Sequence, residues 1–312
     1  MKSVLSPKEL AAAVGVSESS LKRWADDGRI NVHRTVGGHR RISLQEAVRF
    51  ARAENLPVVR PEVLGLPEVS RIRDVNAENR SDATALLCDA LRSGRSEEAR
   101  AIIVDLYLTG KSVAHICDEM IRRAMQEVGD IWKHSPEGIA IEHRATDICI
   151  QSLNVLRHLI ESPIASDAAG AGASGAAPHQ AIGGAPGGDP YLLPSLMVSC
   201  VLGDHGFQAI NLGPNTPLQS LELAARQHDP SMVPRLVWLS CSAEDAIPSR
   251  RDLDKLIAAL EEIGSELIIG GRVAPAVPAA DHVHRFTSMS ELAGFLRGRS
   301  RDEAKDRAKH TD

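Results

Sequence analysis

The first 28 residues predict two short helices joined by a tight turn. Pro7 to Gly15 is typical of a helix that Ser6 caps at its start and that glycine ends, because proline suits the first helical position and glycine suits the position after the last. Ser17 can cap a second helix, Glu18 to Asp26. Two crossed helices of this kind form a helix-turn-helix, whose second helix enters the major groove of DNA. The chain is therefore expected to bind DNA.

A basic segment follows the second helix. Arg34 to Arg41 joins a Gly-Gly turn to several cations, as expected of a hairpin that lies over a phosphate backbone. Within the second helix, Leu21 and Trp24 supply apolar contacts to the first helix. This leaves four polar residues on the outer face: Ser19, Ser20, Lys22 and Arg23.

Residues 4 to about 55 resemble the DNA-binding domain of the MerR and excisionase-like winged-helix regulators. The resemblance rests on the helix spacing, on Gly15 and Trp24, and on Thr35 to Arg41, which resembles their wing. It implies a winged helix-turn-helix over residues 1–56 with these DNA-binding residues: Ser19, Lys22, Arg23, Arg34, His39, Arg40 and Arg41. The alternative is a solvated basic surface on a small helical domain.

Length and charge fit a chain with further domains. A chain of 312 residues is expected to hold two or three domains. Residues 1–60 contain 11 Lys and Arg against 6 Asp and Glu, a charge of +5, so with −5 overall the remaining residues carry −10. This distribution concentrates affinity for nucleic acid at one end of the chain.

Several classes of protein are disfavoured by what the sequence lacks. Neither an apolar run of about 20 residues nor a signal-peptide core is present, so we expect a cytoplasmic protein. The five cysteines are scattered without CxxC spacing, which predicts reduced and mostly buried thiols. Because no P-loop, nucleophile elbow, paired-carboxylate motif or zinc-site spacing is found, we expect no catalytic residues, no metal ligands and no enzymatic activity.

Prolines mark a linker, and helical spacing follows it. Pro57, Pro61 and Pro67 predict an extended connector over residues 57–75. Apolar residues then recur at helical spacing in four segments of residues 76–162, the last of which runs from Ile139 to Ile160. Four helices with short turns predict a four-helix bundle.

Two of these helices carry a second recognisable pattern, Val128 to Trp132 followed ten residues later by Glu142 and His143. It resembles the helical cap domain that precedes cobalamin-binding domains in light- or cobalamin-responsive MerR regulators and in methionine-synthase-like modules. The resemblance implies that the bundle covers the upper face of the corrin, with Trp132, Glu142 and His143 beside the upper axial ligand. The alternative is a core tryptophan and an exposed or locally paired helix face.

Strands and helices alternate in the last third of the chain. Residues 163–178 form an Ala/Gly-rich linker. Residues 179–299 predict an α/β Rossmann-like, flavodoxin-type parallel sheet with helices on both faces, and ligands of such sheets bind outside the carboxyl ends of the strands. The mixed charges of residues 300–312 predict a frayed tail.

The α/β segment resembles a cobalamin-binding Rossmann-like domain in three stretches, Asn211 to Pro217, Leu239 to Ser242 and Ile268 to Gly271. In that family, small residues at these strand ends let the nucleotide tail of the cofactor lie beside the backbone. The cofactor-binding residues that the resemblance implies are Asp189, Tyr191, Ser240, Ser242, Gly270 and Gly271.

The cobalt-ligand motif of that family, Asp-x-His-x-x-Gly, aligns with Asp189 to Pro194 but is altered. Tyr191 stands at the histidine position and Pro194 at the glycine position. Imidazole is a good neutral ligand for cobalt, whereas a phenol with a pKa of about 10 is a poor one unless it ionises. Three interpretations stay open: cobalamin (adenosylcobalamin) bound without a protein lower ligand, another tetrapyrrole or small ligand, or a domain that has lost its ligand and serves assembly.

Together these patterns predict a multidomain transcription regulator, a repressor that binds a double-stranded DNA operator as a dimer or tetramer. Its C-terminal module would sense a ligand or mediate oligomerisation. One alternative is a corrinoid-dependent methyl carrier or enzyme-like protein, which the winged helix and Tyr191 disfavour. Another is a ligand-free regulator that a protein partner controls.

Overall fold

The chain divides into two units, Met1–Ile164 and Ala165–Asp312. The computed structural model describes residues 2–79, 82–131, 136–160, 179–226, 235–279 and 283–309. None of the helices in these ranges combines the length and the apolar sequence that crossing a membrane requires.

The first unit begins with three short strands and three helices: β1 (Val4–Leu5), α1 (Pro7–Val14), α2 (Glu18–Asp26), β2 (His33–Arg34), β3 (Arg40–Ser43) and α3 (Leu44–Ala53). The strands form an antiparallel sheet in the order β1-β3-β2. The sheet register pairs Arg34 with Arg40. We refer to β2, β3 and the turn between them as the hairpin.

Side-chain caps place the starts of these helices where the sequence predicts them. Ser6 accepts a hydrogen bond from the Glu9 N–H, and the Glu9 carboxylate accepts one from the Ser6 N–H, which completes a capping box. Gly15 ends α1 with a φ of 72°, in the left-handed region that glycine adopts without strain. Ser17 caps α2 and Ser43 caps α3 through the same kind of side-chain acceptor.

The segment that the prolines mark is helical rather than extended. A short 3₁₀ helix covers Pro61–Leu64, and α4 runs over Pro67–Asn79. Pro61 and Pro67 each occupy the first position of a helix, where the missing N–H costs no hydrogen bond. Leu66 and Val69 are fully buried, so apolar packing holds the segment against the rest of the unit. This differs from the extended connector predicted from the sequence.

The remaining helices of the first unit pack around a shared core. They are α5 (Ala83–Ser93), α6 (Ser96–Leu108), α7 (Val113–His115), α8 (Arg122–Ile131) and α9 (Pro136–Ile160). A π-helical segment, Ile116–Ile121, joins α7 to α8. The long α9 packs against α5, α6 and α8, and side chains such as Leu87, Ile103 and Leu153 are excluded from solvent between them.

Helix α3 and the segment after it connect the hairpin to these helices. The side-chain amide of Gln45 donates to the carbonyl of His158 in α9 at 3.0 Å. The Arg52 guanidinium lies 3.8 Å from the ring centroid of Tyr107 in α6, a cation–π contact. Arg73 in α4 donates to Asp105 in α6 at 2.6 Å. The elements from β1 to α3, which include the predicted DNA-binding residues, therefore pack in one unit with helices α4 to α9.

The second unit is a five-stranded parallel sheet flanked by helices. Its elements are β4 (Gln180–Gly184), α10 (Leu192–Asp204), β5 (Gln208–Asn211), α11 (Leu218–Arg226), β6 (Leu236–Ser240), α12 (Arg250–Glu262), β7 (Glu266–Gly270), β8 (Val283–Phe286) and α13 (Met289–Lys309). The strand order is β5-β4-β6-β7-β8, with every pair parallel. This is the flavodoxin-like order, so the predicted Rossmann-like parallel sheet is confirmed.

The two faces of this sheet carry different helices. Ile182, Val237 and Leu239 pack with α11 and α12 in the main apolar core. Side chains alternate between the faces of a strand, so Gly183 and Trp238 face α10 instead. Helix α13 packs against α10 and continues to Lys309, through most of the tail predicted to fray. Ala, Glu, Lys and Arg are good helix formers, which accounts for this longer helix.

Candidate nucleic-acid interface and ligand site

The outer face of α2 is open to solvent. Ser19, Lys22 and Arg23 are all exposed. The ammonium of Lys22 pairs with Glu18 one turn earlier at 2.9 Å, and both side chains stay about half exposed. Such an exposed pair is weak and can exchange for a phosphate. In the part of the chain that the structure describes, no ion pair includes Arg23.

The hairpin presents a second basic surface. Its turn is closed by hydrogen bonds from the Thr35 N–H to the His39 carbonyl at 2.9 Å and from the Gly38 N–H to the Thr35 carbonyl at 2.8 Å. Gly38 has a φ of 78°, which explains the second glycine of the Gly-Gly pair. Arg34 and His39 are exposed, and the side chain of Val36 projects fully into solvent.

Register divides the predicted cations of the hairpin between its two faces. Directly opposed residues of an antiparallel pair project to the same face, so Arg34 shares a face with Arg40. His33 and Arg41 are paired and project to the other face. Arg40 contacts α2, so Arg34 emerges on the side of the hairpin that faces α2 and Arg41 does not.

Arg40 differs from the other predicted DNA-binding residues because its side chain is engaged within the protein. One guanidinium nitrogen pairs with the carboxylate of Asp26 in α2, and the other donates to the carbonyl of Lys22 at 3.4 Å. Only 23% of the Arg40 side chain is exposed. The residue therefore joins β3 to α2.

Helix α9 exposes an acid and an imidazole on one face. Glu142 and His143 are both exposed, and Ile139, three and four residues earlier, is 53% exposed. Among the residues described, the side chains of Glu142 and His143 take part in no hydrogen bond or ion pair. Trp132, the third predicted residue of this cluster, lies outside the described residues.

The buried carboxylate of Asp189 holds two loops together at the carboxyl ends of the strands. Its Oδ2 accepts from the Ser242 N–H at 2.6 Å and from the Ala243 N–H at 3.0 Å, and its Oδ1 accepts from the Tyr191 N–H at 3.0 Å. Asp189 is completely buried. With three backbone donors it links the loop after β4 to the loop after β6. The Tyr191 side chain, at the start of α10, is 50% exposed.

Close backbone packing explains one of the small residues at the other strand ends. A Cβ on Gly271, whose φ is 105°, would lie 2.3 Å from the carbonyl oxygen of Cys241. A Cβ on Gly270 would make only an ordinary van der Waals contact with the Phe286 carbonyl oxygen, at 3.4 Å. Ser240 is buried, and the Ser242 backbone binds Asp189 and Arg272. The chain therefore needs glycine at position 271 for its own backbone contacts.

An indole that sequence reasoning missed fills the space between β4 and α10. A Cβ on Gly183 would lie 2.2 Å from Cδ2 of Trp238, so the ring crosses over the neighbouring strand. The Trp238 Nε1–H donates to Ser195 at 3.0 Å, and the Ser195 hydroxyl donates to Asn211 at 2.9 Å. Trp238 and Ser195 are both buried. The sequence signal was the Gly183–Gly184 pair in one strand and Trp238 in another. Only the register of the sheet places Gly183 opposite the indole.

A cobalamin that needs an imidazole ligand and a channel for its nucleotide tail does not fit this sheet. A phenol stands at the ligand position, and Trp238 occupies the space beside Gly183. The exposed face of α9 could cover a flat ligand. It offers an apolar side chain, Ile139, beside the carboxylate of Glu142 and the imidazole of His143.

A separate cleft of about 550 Å³ opens among the loops after β4, β5 and β6. It lies beside the topological switch point of the sheet, between β4 and β6, where ligands of such folds bind. Its walls include Gly187, Pro217, Leu218, Ala246 and Ile247, with Asp245 among the polar groups. The cleft lies on the side of α11 and α12, away from the Trp238 ring.

Thiol and metal chemistry have no assembled site in the described residues. No three His, Cys, Asp or Glu side chains come together there as metal ligands would. All five cysteines are buried. Burial raises the pKa of Cys149 to about 12, and burial with the charge of Asp189 does the same for Cys241. These two thiols stay protonated near neutral pH.

Comparisons with known families give two matches. Residues 4–54 match the model of a helix-turn-helix domain, and residues 85–157 match that of a B12 binding domain. The first match covers the elements from β1 to α3, and the second covers helices α5 to α9. The chain therefore contains a helix-turn-helix domain and a B12 binding domain. Comparison with curated proteins gave no match.

Several solved structures are similar to this chain at low identity. The monomethylamine corrinoid protein of Methanosarcina barkeri is 17% identical over 67% of this chain and 94% of its own, with a TM-score of 0.46. The methanol:cobalamin methyltransferase complex of the same organism matches at 12% identity over 69% and 78%, with a TM-score of 0.34. A cobalamin-binding protein of Desulfitobacterium hafniense DCB-2 matches at 17% identity over 70% and 98%, with a TM-score of 0.31.

Trp238 is expected to stabilise the second unit without any ligand. Trp238→Ala should lower the free energy of unfolding by about 3 to 5 kcal/mol, because it leaves a cavity and removes the partner of Ser195. Trp238→Phe keeps most of the packing and should cost about 2 kcal/mol or less. Urea unfolding of the ligand-free full chain, followed by circular dichroism, measures both. An alanine variant as stable as the wild type would show that the indole does not fill the core.

Proposed function

We propose that this chain is a MerR-type transcription repressor that binds a double-stranded DNA operator through α2 and the hairpin. The observation that carries the proposal is the exposed basic surface of a matched helix-turn-helix domain: Arg23 on α2, and Arg34 on the hairpin face that contacts α2. In this arrangement α2 is the recognition helix and reads base edges in the major groove with Ser19, Lys22 and Arg23.

The hairpin supplies the sequence-independent part of the affinity in this proposal. Arg34 and His39 are exposed and approach phosphates, which fixes the register of the protein on the duplex. Arg41 projects to the other face of the hairpin, so we assign it a lesser contribution. The +5 charge of residues 1–60 favours encounter with DNA.

Assembly and location complete the proposed regulator. One helix-turn-helix buries too little surface for useful specificity, so we propose a dimer or tetramer on a palindromic or repeated operator. Repression would follow from occupying the promoter. We place the protein in the cytoplasm and assign it no enzymatic activity.

The ligand that we propose is adenosylcobalamin. The match of residues 85–157 to a B12 binding domain supports it, and the exposed face of α9 with Ile139, Glu142 and His143 would cover the corrin. Tyr191 offers no imidazole, so we propose that cobalt takes no ligand from the motif at Asp189. A methyl carrier is disfavoured for the same reason.

A second candidate is a ligand-free regulator that a protein partner controls. It is supported by the second unit, where Trp238 fills the space beside Gly183 and three backbone donors occupy Asp189. A domain that is complete without a ligand suits assembly or a partner surface.

Arg23→Ala tests the recognition helix. Loss of one exposed groove contact should weaken binding about ten-fold to a duplex that the wild-type chain recovers from a randomised library. Electrophoretic mobility shift measures the affinity. Arg71→Ala is the matched control, because Arg71 is an exposed arginine of α4 in the same unit, and it should bind nearly as the wild type does. Equal affinity of the two variants would contradict the assignment of α2.

Adenosylcobalamin binding tests the ligand. The full chain, incubated with adenosylcobalamin and passed through gel filtration in the dark and in the light, should retain a corrin absorbance spectrum. Glu142→Gln and His143→Ala should each reduce the retained corrin, because both side chains lie on the proposed covering face. Glu137→Gln, an exposed acid in the first turn of α9, should leave it unchanged. If the wild-type chain retains no corrin, the adenosylcobalamin proposal is wrong and the partner-controlled regulator is favoured.

A further inference from the structure

One side chain holds the hairpin against the recognition helix. Arg40 in β3 pairs with Asp26 in the last turn of α2, and it also donates to the Lys22 carbonyl of the same helix at 3.4 Å. We call these three groups the clamp. Its cation lies at the C-terminal end of α2, where the helix dipole favours positive charge.

Burial and hydrogen bonding distinguish Arg40 from the other cations of the hairpin. Arg34, its partner in the register, is exposed, whereas only 23% of the Arg40 side chain is. Both terminal nitrogens of Arg40 have partners in α2. These two partners use two of the five N–H donors of the guanidinium and hold it against α2.

The start of the hairpin has a separate anchor on the other side. The Asn31 N–H donates to the carboxylate of Glu46 at 2.7 Å, and that carboxylate also accepts two hydrogen bonds from Arg49 at 2.6 Å. Glu46 is buried in α3. This anchor fixes the hairpin to α3, and the clamp fixes it to α2. β3 also pairs with β1, and among these contacts the clamp is the one that reaches α2.

We infer that Arg40 is a positioning residue for DNA binding and does not contact phosphate. The clamp sets the distance between β3 and α2, so that the hairpin and the recognition helix reach the same duplex. The inference rests on the proposed DNA binding and gives Arg40 a role other than the phosphate contact that the sequence predicts.

The two roles of Arg40 predict opposite effects of removing Asp26. If Arg40 bound phosphate, Asp26→Asn would free it and remove a repelling charge, and affinity for DNA would rise. If Arg40 positions the hairpin, Asp26→Asn breaks the clamp and affinity falls although the protein becomes more positive. Asp27→Asn is the matched control, since Asp27 is the adjacent exposed acid and makes the same change of charge.

The experiment uses the full chain and the duplex that the wild type recovers from a randomised library, over a series of salt concentrations. We expect Asp26→Asn to bind about three- to five-fold more weakly than Asp27→Asn, the effect of losing one ion pair. Arg40→Ala should weaken binding without changing the slope of log K against log salt. The double variant Asp26→Asn with Arg40→Ala should bind as Arg40→Ala does, since the clamp is already lost.

The outcomes separate this inference from the proposed function. If Asp26→Asn binds as tightly as Asp27→Asn or more tightly, or if Arg40→Ala lowers the salt slope by about 0.9, Arg40 contacts phosphate and the inference is overturned. The proposed DNA binding would survive that result. If the wild type recovers no duplex, both the DNA binding and the inference fail. Circular dichroism of each variant checks that the fold is retained.

Discussion

Burial of α3 is the constraint on which the arrangement of the first unit depends. This helix has 10 residues, most of them buried, and it contacts the parts of the unit on either side of it. Glu46 anchors the start of the hairpin, and Phe50 packs against Trp24 of α2 with ring centroids 5.5 Å apart. Gln45 bonds the backbone of α9. The surface proposed to bind DNA and the helices that match a B12 binding domain are therefore joined through α3 and the segment that follows it.

Local signals in the first unit were readable from the sequence. Ser6, Ser17 and Gly15 place α1 and α2, because caps and glycine ends act over a few residues. The role of Arg40 was not readable, since its partner lies 14 positions away and the pair depends on how β3 approaches α2. The prolines were ambiguous for a different reason, because proline suits both an extended linker and the first position of a helix. The burial of Leu66 holds this segment against the unit, where it is helical.

The second unit shows the limit of arguing from a resemblance. Alternating strands and helices predicted the parallel sheet, whereas the strand order follows from packing between distant segments. Gly271 and Asp189 fit a ligand-binding motif as sequence, but close backbone packing explains the glycine and three backbone N–H groups occupy the carboxylate. The sequence does not predict that Trp238 fills the space between β4 and α10, because that space exists only beside Gly183 in the neighbouring strand. Asp189, which this chain keeps from the motif, joins two loops of the fold.

The central claim is that the chain recognises a DNA sequence through α2 and the hairpin. The most direct measurement is the ratio of two affinities of the full chain, one for the duplex that it recovers from a randomised library and one for a scrambled duplex of the same composition, at physiological salt. The account predicts a ratio of about 10³ or more, as for sequence-specific DNA-binding proteins. A ratio near one would contradict it, since the basic surface would then bind DNA only through charge.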